Sequence, residues 1–160
     1  MKVYLAADHA GLELKEKMKT FLSEKGYEVT DCGAFEFEKD DDYPDFVAAA
    51  AEKVAKDSGS LGIVFGKSGA GEAIAANKIK GIRAAVGFNR ENVLLCRVDN
   101  DANVLSLGSA FVNEDEAKQL AELFLETPFS QEERHKRRIE KITQLEIDDR
   151  KLKVVLEDRI

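Results

Sequence analysis

The chain has 160 residues, of which 44% are hydrophobic and 34% are charged, so its size and composition suit one globular domain with a single core. The net charge of −7 argues against a general nucleic-acid or membrane-surface binder, although a few local arginines would still suit an anionic small molecule. No apolar run is long enough to span a membrane, and we do not expect the first residues to act as a signal peptide. Two cysteines and two histidines predict neither a disulfide framework nor a metal site. We therefore expect a cytoplasmic protein.

Short apolar runs alternate with amphipathic stretches along the chain, a pattern typical of strands followed by helices. The apolar runs predict five strands, at residues 2–7, 28–31, 61–65, 83–87 and 103–107. The amphipathic stretches predict six helices, at residues 12–25, 44–56, 74–78, 90–98, 114–125 and 131–146, with an acidic loop at 33–42. This alternation indicates an α/β fold with a parallel sheet between two layers of helices. We expect one domain over residues 1–146 and assign residues 147–160, which show no clear pattern, to a C-terminal extension of unknown role.

In folds of this class, ligands bind beyond the carboxyl ends of the strands. This rule points to the residues that follow strands one, three and five, namely Asp8-His9, the segment 66–72 and the region near Ser109. The loop that reaches Tyr43 and the helix before strand five are further candidates for the border of the same crevice.

The segment after strand three is rich in glycine and has the sequence Gly66-Lys-Ser-Gly-Ala-Gly-Glu72. Glycines allow positive φ and close approach of the backbone, and successive N–H groups at a helix start suit an anion or an enediolate oxygen. The spacing fits neither a P-loop nor a dinucleotide fingerprint. The residues alone leave two interpretations open, a binding loop and a tight turn that needs glycine for its backbone.

Three other polar segments are candidates for binding. His9 ends the first strand, where it either binds a ligand or caps the helix that follows. Arg134 and Arg138 lie four residues apart on one helix face, which suits a phosphate. The alternative is a solvated surface on which these arginines pair with nearby glutamates. Residues 97–103 form a polar turn whose simple interpretation is a helix stop.

Together these segments resemble one family, the type B ribose-5-phosphate isomerases with the related galactose-6-phosphate isomerase subunits. The resemblance covers about residues 1–145, and its motifs are specific through their order and spacing rather than singly. The matching segments are Ala7-Asp8-His9-Ala10-Gly11, Gly26-Tyr27-Glu28-Val29, Asp31-Cys32-Gly33, Asp42-Tyr43-Pro44, Ser68-Gly69-Ala70-Gly71, Ile74-Ala75-Ala76-Asn77-Lys78, Gly81-Ile82-Arg83-Ala84, Asn100-Asp101-Ala102-Asn103-Val104 and Arg134-His135 with Arg138.

The resemblance implies a Rossmann-like, three-layer α/β/α fold with a five-stranded parallel sheet. It also implies a homodimer whose active sites lie where two subunits meet, with tetramers left open. The implied reaction converts an aldose phosphate reversibly into a ketose phosphate through an enediolate, without a metal or another cofactor. Ribose 5-phosphate and ribulose 5-phosphate, of the pentose phosphate pathway, are the first candidates. The alternatives are another aldose phosphate, such as galactose or allose 6-phosphate, and a non-catalytic paralogue that only binds a sugar phosphate.

The same resemblance implies roles for individual residues. Many members have a cysteine base where this chain has Gly66, and one branch instead uses a glutamate at the position of Glu72, which makes Glu72 the candidate base. Ser68 matches the hydroxyl that assists proton movement between O1 and O2. The implied substrate-binding positions are Asp8, His9, Tyr43, Gly66, Lys67, Gly69, Ala70, Gly71 and Asn100, and the implied phosphate-binding positions are Arg134, Arg138 and His9.

Two positions depart from the pattern of ribose-specific members. Asp99 stands where a ring-opening histidine is usual, which makes it a third catalytic candidate, although a carboxyl group is a poor acid catalyst unless its pKa is raised. Ala110 stands where an arginine near the phosphate is common, and Lys67 is a candidate for replacing part of that charge. These departures leave the identity of the sugar open.

Overall fold

The computed structural model describes residues 1–146, so the predicted extension at 147–160 lies outside the described residues. The strands are β1 (Lys2–Ala7), β2 (Glu28–Asp31), β3 (Leu61–Gly66), β4 (Ala84–Gly87) and β5 (Val104–Gly108). The helices are α1 (Leu12–Glu24), α2 (Tyr43–Lys56), α3 (Ala70–Ala76), α4 (Arg90–Val98), α5 (Glu114–Glu126) and α6 (Glu133–Gln144). Met1–Phe129 forms one compact unit, and α6 belongs to a second unit that begins at Ser130. None of these helices, which cover the described part of the chain, is long and apolar enough to cross a membrane.

The sheet contains the five described strands, all parallel, in the order β2-β1-β3-β5-β4. β1, β3 and β5 are neighbours at its centre, where Ala7 pairs with Phe65 and Gly66 pairs with Gly108. The three segments that the sequence indicated as ligand-binding candidates therefore leave adjacent strands side by side, at the carboxyl edge of the sheet.

Helices cover both faces of the sheet. Side chains alternate between the two faces along a strand, so Leu5 and Ile63 pack in one core with α1, α4 and α5, while Ala6 and Val64 pack in the other with α2 and α3. A strand buried on both faces must be apolar at nearly every position, which is why the central strands appear in the sequence as nearly continuous apolar runs, with Ser106 as the polar residue inside β5. Burial of one large aliphatic side chain such as Leu5 contributes about 2 kcal/mol. The predicted three-layer α/β/α fold is confirmed.

Two helices, α3 and α6, begin two or more residues away from the predicted start. α3 begins at Ala70 rather than at residue 74, because Gly69, with a φ of +79°, turns the chain into the helix. Gly71 in the first turn weakens the helix signal of this segment, since glycine is a poor helix former. α6 begins at Glu133 rather than at residue 131, because Gln131 has a φ of +61°, which a right-handed helix excludes.

A buried ion pair joins the end of β2 to α1. The side chain of Lys15 is fully buried, and its Nζ lies 2.7 Å from each carboxylate oxygen of Asp31. Asp31 also accepts a hydrogen bond from the backbone N–H of Gly33 at 2.9 Å. The pair therefore fixes the first residues of the acidic loop as well as the strand.

We expect Asp31→Ala to lower the free energy of unfolding by about 3 kcal/mol, because it leaves the buried ammonium group of Lys15 without its main partner. The matched control is Glu52→Ala, which removes the partner of Lys56 from an exposed pair and should change the free energy of unfolding by less than about 0.5 kcal/mol. Urea denaturation of both variants measures the difference. Equal losses in the two variants would contradict a special contribution of the buried pair.

Candidate active site

The loops after β1, β3 and β5 meet at the carboxyl edge of the sheet through close backbone contacts. The backbone N–H of Ser109 donates to the carbonyl of Gly66 at 2.8 Å, and its hydroxyl donates to the carbonyl of Ala10 at 2.9 Å. A Cβ atom at Gly108 would lie 2.6 Å from the carbonyl carbon of Ser68, so this position needs glycine. The three loops thus form one continuous surface.

Glu72 places its carboxylate against the backbone of Gly66. The residue lies in the first turn of α3 and is only 4% exposed. A Cβ atom at position 66 would overlap with Oε1 of Glu72 and would lie 2.7 Å from its Oε2. The carboxylate therefore occupies the space that a side chain at position 66 would need, and the glycine and the glutamate depend on each other.

The pKa of Glu72 is raised, with burial as the largest cause and the negative charge of Asp8 adding to it. Hydrogen bonds from the backbone N–H groups of Glu72 itself and of Gly69 act in the opposite direction. A carboxylate with a raised pKa accepts a proton more readily near neutral pH, which is the property a general base requires.

Asp8 is buried and forms the turn that leads into α1. Its Oδ1 accepts hydrogen bonds from the backbone N–H groups of Ala10 and Gly11, both at 3.0 Å. No side chain caps the first turn of α1. The side chain that binds the backbone just before this helix is Asp8. The interpretation of His9 as the cap of α1 is therefore wrong.

His9 is held instead by Asp41, a residue that the sequence did not single out. Oδ1 of Asp41 accepts a hydrogen bond from the backbone N–H of His9 at 3.1 Å and lies 2.5 Å from its Nδ1. The ring of Phe37 packs edge-on against the imidazole, with 5.8 Å between the centroids. The hydrogen bond to Asp41 raises the pKa of His9, partial burial lowers it, and the charges of Asp8, Asp41 and Asp40 raise it further.

Tyr43 and Ser68 complete the edge around the glycine loop. Tyr43 is half-buried, and its ring covers the backbone of Gly71, where a Cβ atom would lie 2.8 Å from Cζ and Oη. Ser68 is exposed, and its Oγ accepts a hydrogen bond from the backbone N–H of Ala70 at 3.2 Å. The predicted site residues that lie at this one edge are Asp8, His9, Tyr43, Gly66, Lys67, Ser68, Gly69, Ala70, Gly71 and Glu72.

Asp99 and Asn100 lie at the amino edge of the sheet, where the parallel strands begin, whereas the glycine loop lies at the carboxyl edge. Asp99 follows the last residue of α4, and Asn100 follows it before β5 begins. The carbonyl of Asn103 accepts a hydrogen bond from Gly62, four residues before Gly66, and four residues of strand span about 13 Å. The expectation that the helix before strand five borders the same crevice is wrong for this end of α4. A helix that leads into a parallel strand ends at the amino edge, where that strand begins.

Residues 97–103 have structural contacts that explain their polar character. Arg97 pairs with Asp101 at 2.9 Å, and the side chain of Asn103 accepts a hydrogen bond from the backbone N–H of Arg83 at 2.8 Å. Asp101 has a φ of +45°, which ends helical geometry. The simple interpretation of this segment as a helix stop is confirmed.

Arg134 and Arg138 belong to the second unit, in which they lie one turn apart on α6. Nε of Arg134 lies 2.8 Å from a carboxylate oxygen of Glu132, as the surface-pair interpretation expects. Both arginines are exposed. Their assignment to a phosphate stays a prediction.

Asp8, His9 and Asp41 each place one potential metal-ligand atom within 4.8 Å of the others. The hydrogen bonds of Asp8 to the start of α1 and of Asp41 to His9 account for this arrangement. We therefore assign no metal to the cluster, and the expectation of a metal-free, cofactor-free site stays a prediction.

Known proteins are similar to this sequence over most of its length. The family model for ribose/galactose isomerases matches residues 3–142. Ribose-5-phosphate isomerase B of Mycobacterium tuberculosis is 44% identical over 146 residues, which cover 91% of this chain and 90% of the relative. A probable ribose-5-phosphate isomerase B of Mycoplasma genitalium is 41% identical over 145 residues, which cover 90% of this chain and 95% of the relative.

Solved structures show the same fold. The crystal structure of ribose-5-phosphate isomerase B from Mycoplasma genitalium with bound ribulose-5-phosphate matches with a TM-score of 0.87 at 40% identity, covering 91% of this chain and 95% of that chain. The type B ribose 5-phosphate isomerase of Trypanosoma brucei matches with a TM-score of 0.86 at 38% identity, covering 91% of this chain and 98% of that chain. The chain therefore belongs to the ribose/galactose isomerase family.

Proposed function

We propose that this chain interconverts ribose 5-phosphate and ribulose 5-phosphate through an enediolate, with Glu72 as the base. The observation that carries the proposal is the buried carboxylate of Glu72 in the space beside Gly66. Relatives support the substrate, because proteins named ribose-5-phosphate isomerase B are 44% identical over most of the chain and one solved relative contains ribulose-5-phosphate. The cytoplasmic location stays a prediction.

The isomerisation moves one proton between two neighbouring carbons. Glu72 takes the proton from C2 of the open-chain aldose, and the electrons of that C–H bond form the C1–C2 double bond while O1 takes up the electrons of the former carbonyl. The protonated Glu72 then returns the proton to C1, and the carbonyl forms at C2. Ser68 assists proton movement between O1 and O2, and the loop N–H groups stabilise the oxyanion. A raised pKa of Glu72 suits both proton transfers, because the same carboxyl group must accept the proton from C2 and then release it to C1.

The exchange of the base within the family supports the assignment to Glu72. The resemblance places a cysteine base at the position of Gly66 in many members. In this chain a side chain at that position would overlap with the carboxylate of Glu72. The carboxylate of Glu72 therefore reaches the region where the cysteine thiol would lie. We infer that the glutamate replaces the cysteine as the base.

The phosphate group requires cationic partners, and we assign His9, Arg134 and Arg138 to it. A contact between the glycine loop and the turn after β5 supports a further contribution from Lys67. The backbone N–H of Ala110 donates to the carbonyl of Lys67 at 3.0 Å, so Lys67 adjoins the position where an arginine is common in the family. Its exposed ammonium group is a replacement for part of that charge.

The place of Asp99 and Asn100 supports a homodimer with shared sites. These residues lie across the sheet from Glu72, so a second copy must supply them if they contact the same substrate. Large apolar side chains are exposed beside the edge strand β4, on α3, at the end of β4 and on α4: Ile74 at 63%, Phe88 at 62% and Leu95 at 46%. Exposed apolar surface of this kind is typical of an interface. We assign Asp99 of the second copy to accept the proton of the anomeric hydroxyl when the ring opens.

A second candidate substrate, another aldose phosphate, rests on Asp99 and Ala110, which depart from the ribose-specific pattern. A coupled ketose assay with a panel of pentose and hexose phosphates distinguishes the candidates. Fastest turnover of ribose 5-phosphate is the expected result. Turnover of any of these sugars rejects a role limited to binding, and no turnover of any of them would contradict the proposed function.

We expect Glu72→Gln to lower kcat for ribose 5-phosphate by about 100- to 10,000-fold, because the amide has the same size but cannot accept the proton. KM and thermal stability should stay near those of the unchanged protein. The control is Glu91→Gln, an exposed position in the first turn of α4, which should keep its kcat. Full turnover in Glu72→Gln would exclude this residue as the base.

Co-expression of two weakly active variants tests the shared site. One copy carries Glu72→Gln, and the other carries Asp99→Ala together with Asn100→Ala. Random pairing makes half of the dimers mixed, and each mixed dimer has one intact site out of two, so we expect about a quarter of the original activity. Differently tagged copies allow the mixed dimer to be purified and assayed. Activity no higher than the mean of the two parents would mean that the residues do not act across copies.

A further inference from the structure

Asp41 contacts His9 through a single carboxylate oxygen that serves two N–H groups. Its Oδ1 accepts from the backbone N–H of His9 and contacts Nδ1 of the ring, so the carboxylate fixes both the main chain and the imidazole. The side chain of Asp41 is only 5% exposed. Among the described residues its buried Oδ2 has no hydrogen-bond partner.

This burial makes a cationic partner favourable for Asp41. A buried carboxylate with one oxygen unsatisfied is costly unless a positive charge lies beside it, and the protonated ring of His9 supplies that charge. A protonated imidazole carries a proton on both nitrogens. With Nδ1–H directed to Asp41, Nε2–H is the donor that the ring offers to an anion.

We propose that Asp41 is a positioning residue for the phosphate of the substrate. It holds the ring of His9 through Nδ1 and keeps the ring protonated, so that Nε2–H donates to a phosphate oxygen. The proposal rests on the proposed function, in which His9 binds the phosphate. It extends the site to Asp41, which lies on the loop after β2. Because β1 lies between β2 and β3 in the sheet, this loop and the glycine loop after β3 approach His9 from opposite sides.

The groups that face His9 fix the direction of the pH dependence. The hydrogen bond to Asp41 is the largest cause that raises the pKa of the ring, partial burial lowers this pKa, and the charges of Asp8, Asp41 and Asp40 raise it further. Phe37 contributes an apolar ring edge without a charge. The protonated form of His9 predominates below the pKa and is lost as the pH rises through it. Removal of the charge at Asp41 therefore shifts this loss to lower pH.

The test compares Asp41→Asn with Asp40→Asn. In Asp41→Asn the amide oxygen can still accept the hydrogen bonds from the backbone N–H and the ring of His9, but the side chain carries no charge. The control Asp40→Asn removes the same charge from the exposed neighbouring residue. We expect Asp41→Asn to raise KM for ribose 5-phosphate about tenfold at pH 8, to leave KM near the original value at pH 5.5, and to change kcat less than about twofold. Asp40→Asn should keep KM within about twofold at both pH values.

An NMR titration of the His9 ring, without substrate, gives a readout that does not depend on turnover. The midpoint should lie about one pH unit lower in Asp41→Asn than in the unchanged protein. An unchanged midpoint, or a KM that does not change with pH in the predicted way, overturns the assignment to Asp41. Absence of turnover in the unchanged protein instead overturns the proposed function. If Asp41→Asn does not fold, Asp41→Ser is the second variant, since it also removes the charge at this position.

Discussion

The carboxylate of Glu72 lies against the backbone of Gly66, in the space that any side chain at position 66 would fill. This steric constraint links the last strand residue of β3 to the first turn of α3 and fixes where the carboxylate can be. It also removes the carboxylate from water, and burial is the main cause of its raised pKa. The same contact thus sets the position and the basicity of the group that we propose as the base.

The order of the strands creates the rest of this edge. Because β1, β3 and β5 are adjacent, the turns that follow them share hydrogen bonds, and Asp8 comes close enough to Glu72 for its charge to act on the pKa. Asp8 cannot move away easily, because its carboxylate also holds the start of α1. The buried pair of Lys15 and Asp31 acts at the next strand, where it fixes the beginning of the loop that carries Asp41 to His9.

The strands and the glycine loop were predictable because both leave a direct trace in the sequence, as apolar runs and as glycines at a strand end. The contact of Asp41 with His9 was not predictable, because Asp41 is one of three consecutive aspartates. Only the path of the loop determines which of the three lies beside His9. The start of α3 was not predicted, because glycines at positions 69 and 71 give this segment a low helix propensity. The place of Asp99 was within reach of simple reasoning, since the end of a crossover helix always lies where the next parallel strand begins. The role that we propose for Asp99 also requires a second copy of the chain.

The kinetics of Gly66→Ala test the central claim most directly, because the added methyl group would take the space of the Glu72 carboxylate and leave every other site residue unchanged. We expect this variant to fold, as judged by thermal denaturation, and to lose at least about a hundredfold in kcat for ribose 5-phosphate. Gly26→Ala is the control, since Gly26 has no neighbour within 4 Å of a Cβ atom, and it should keep its kcat even if its left-handed backbone makes it less stable. A folded Gly66→Ala protein with kcat within about twofold of the original would contradict the account, because the carboxylate would then not need that space to act.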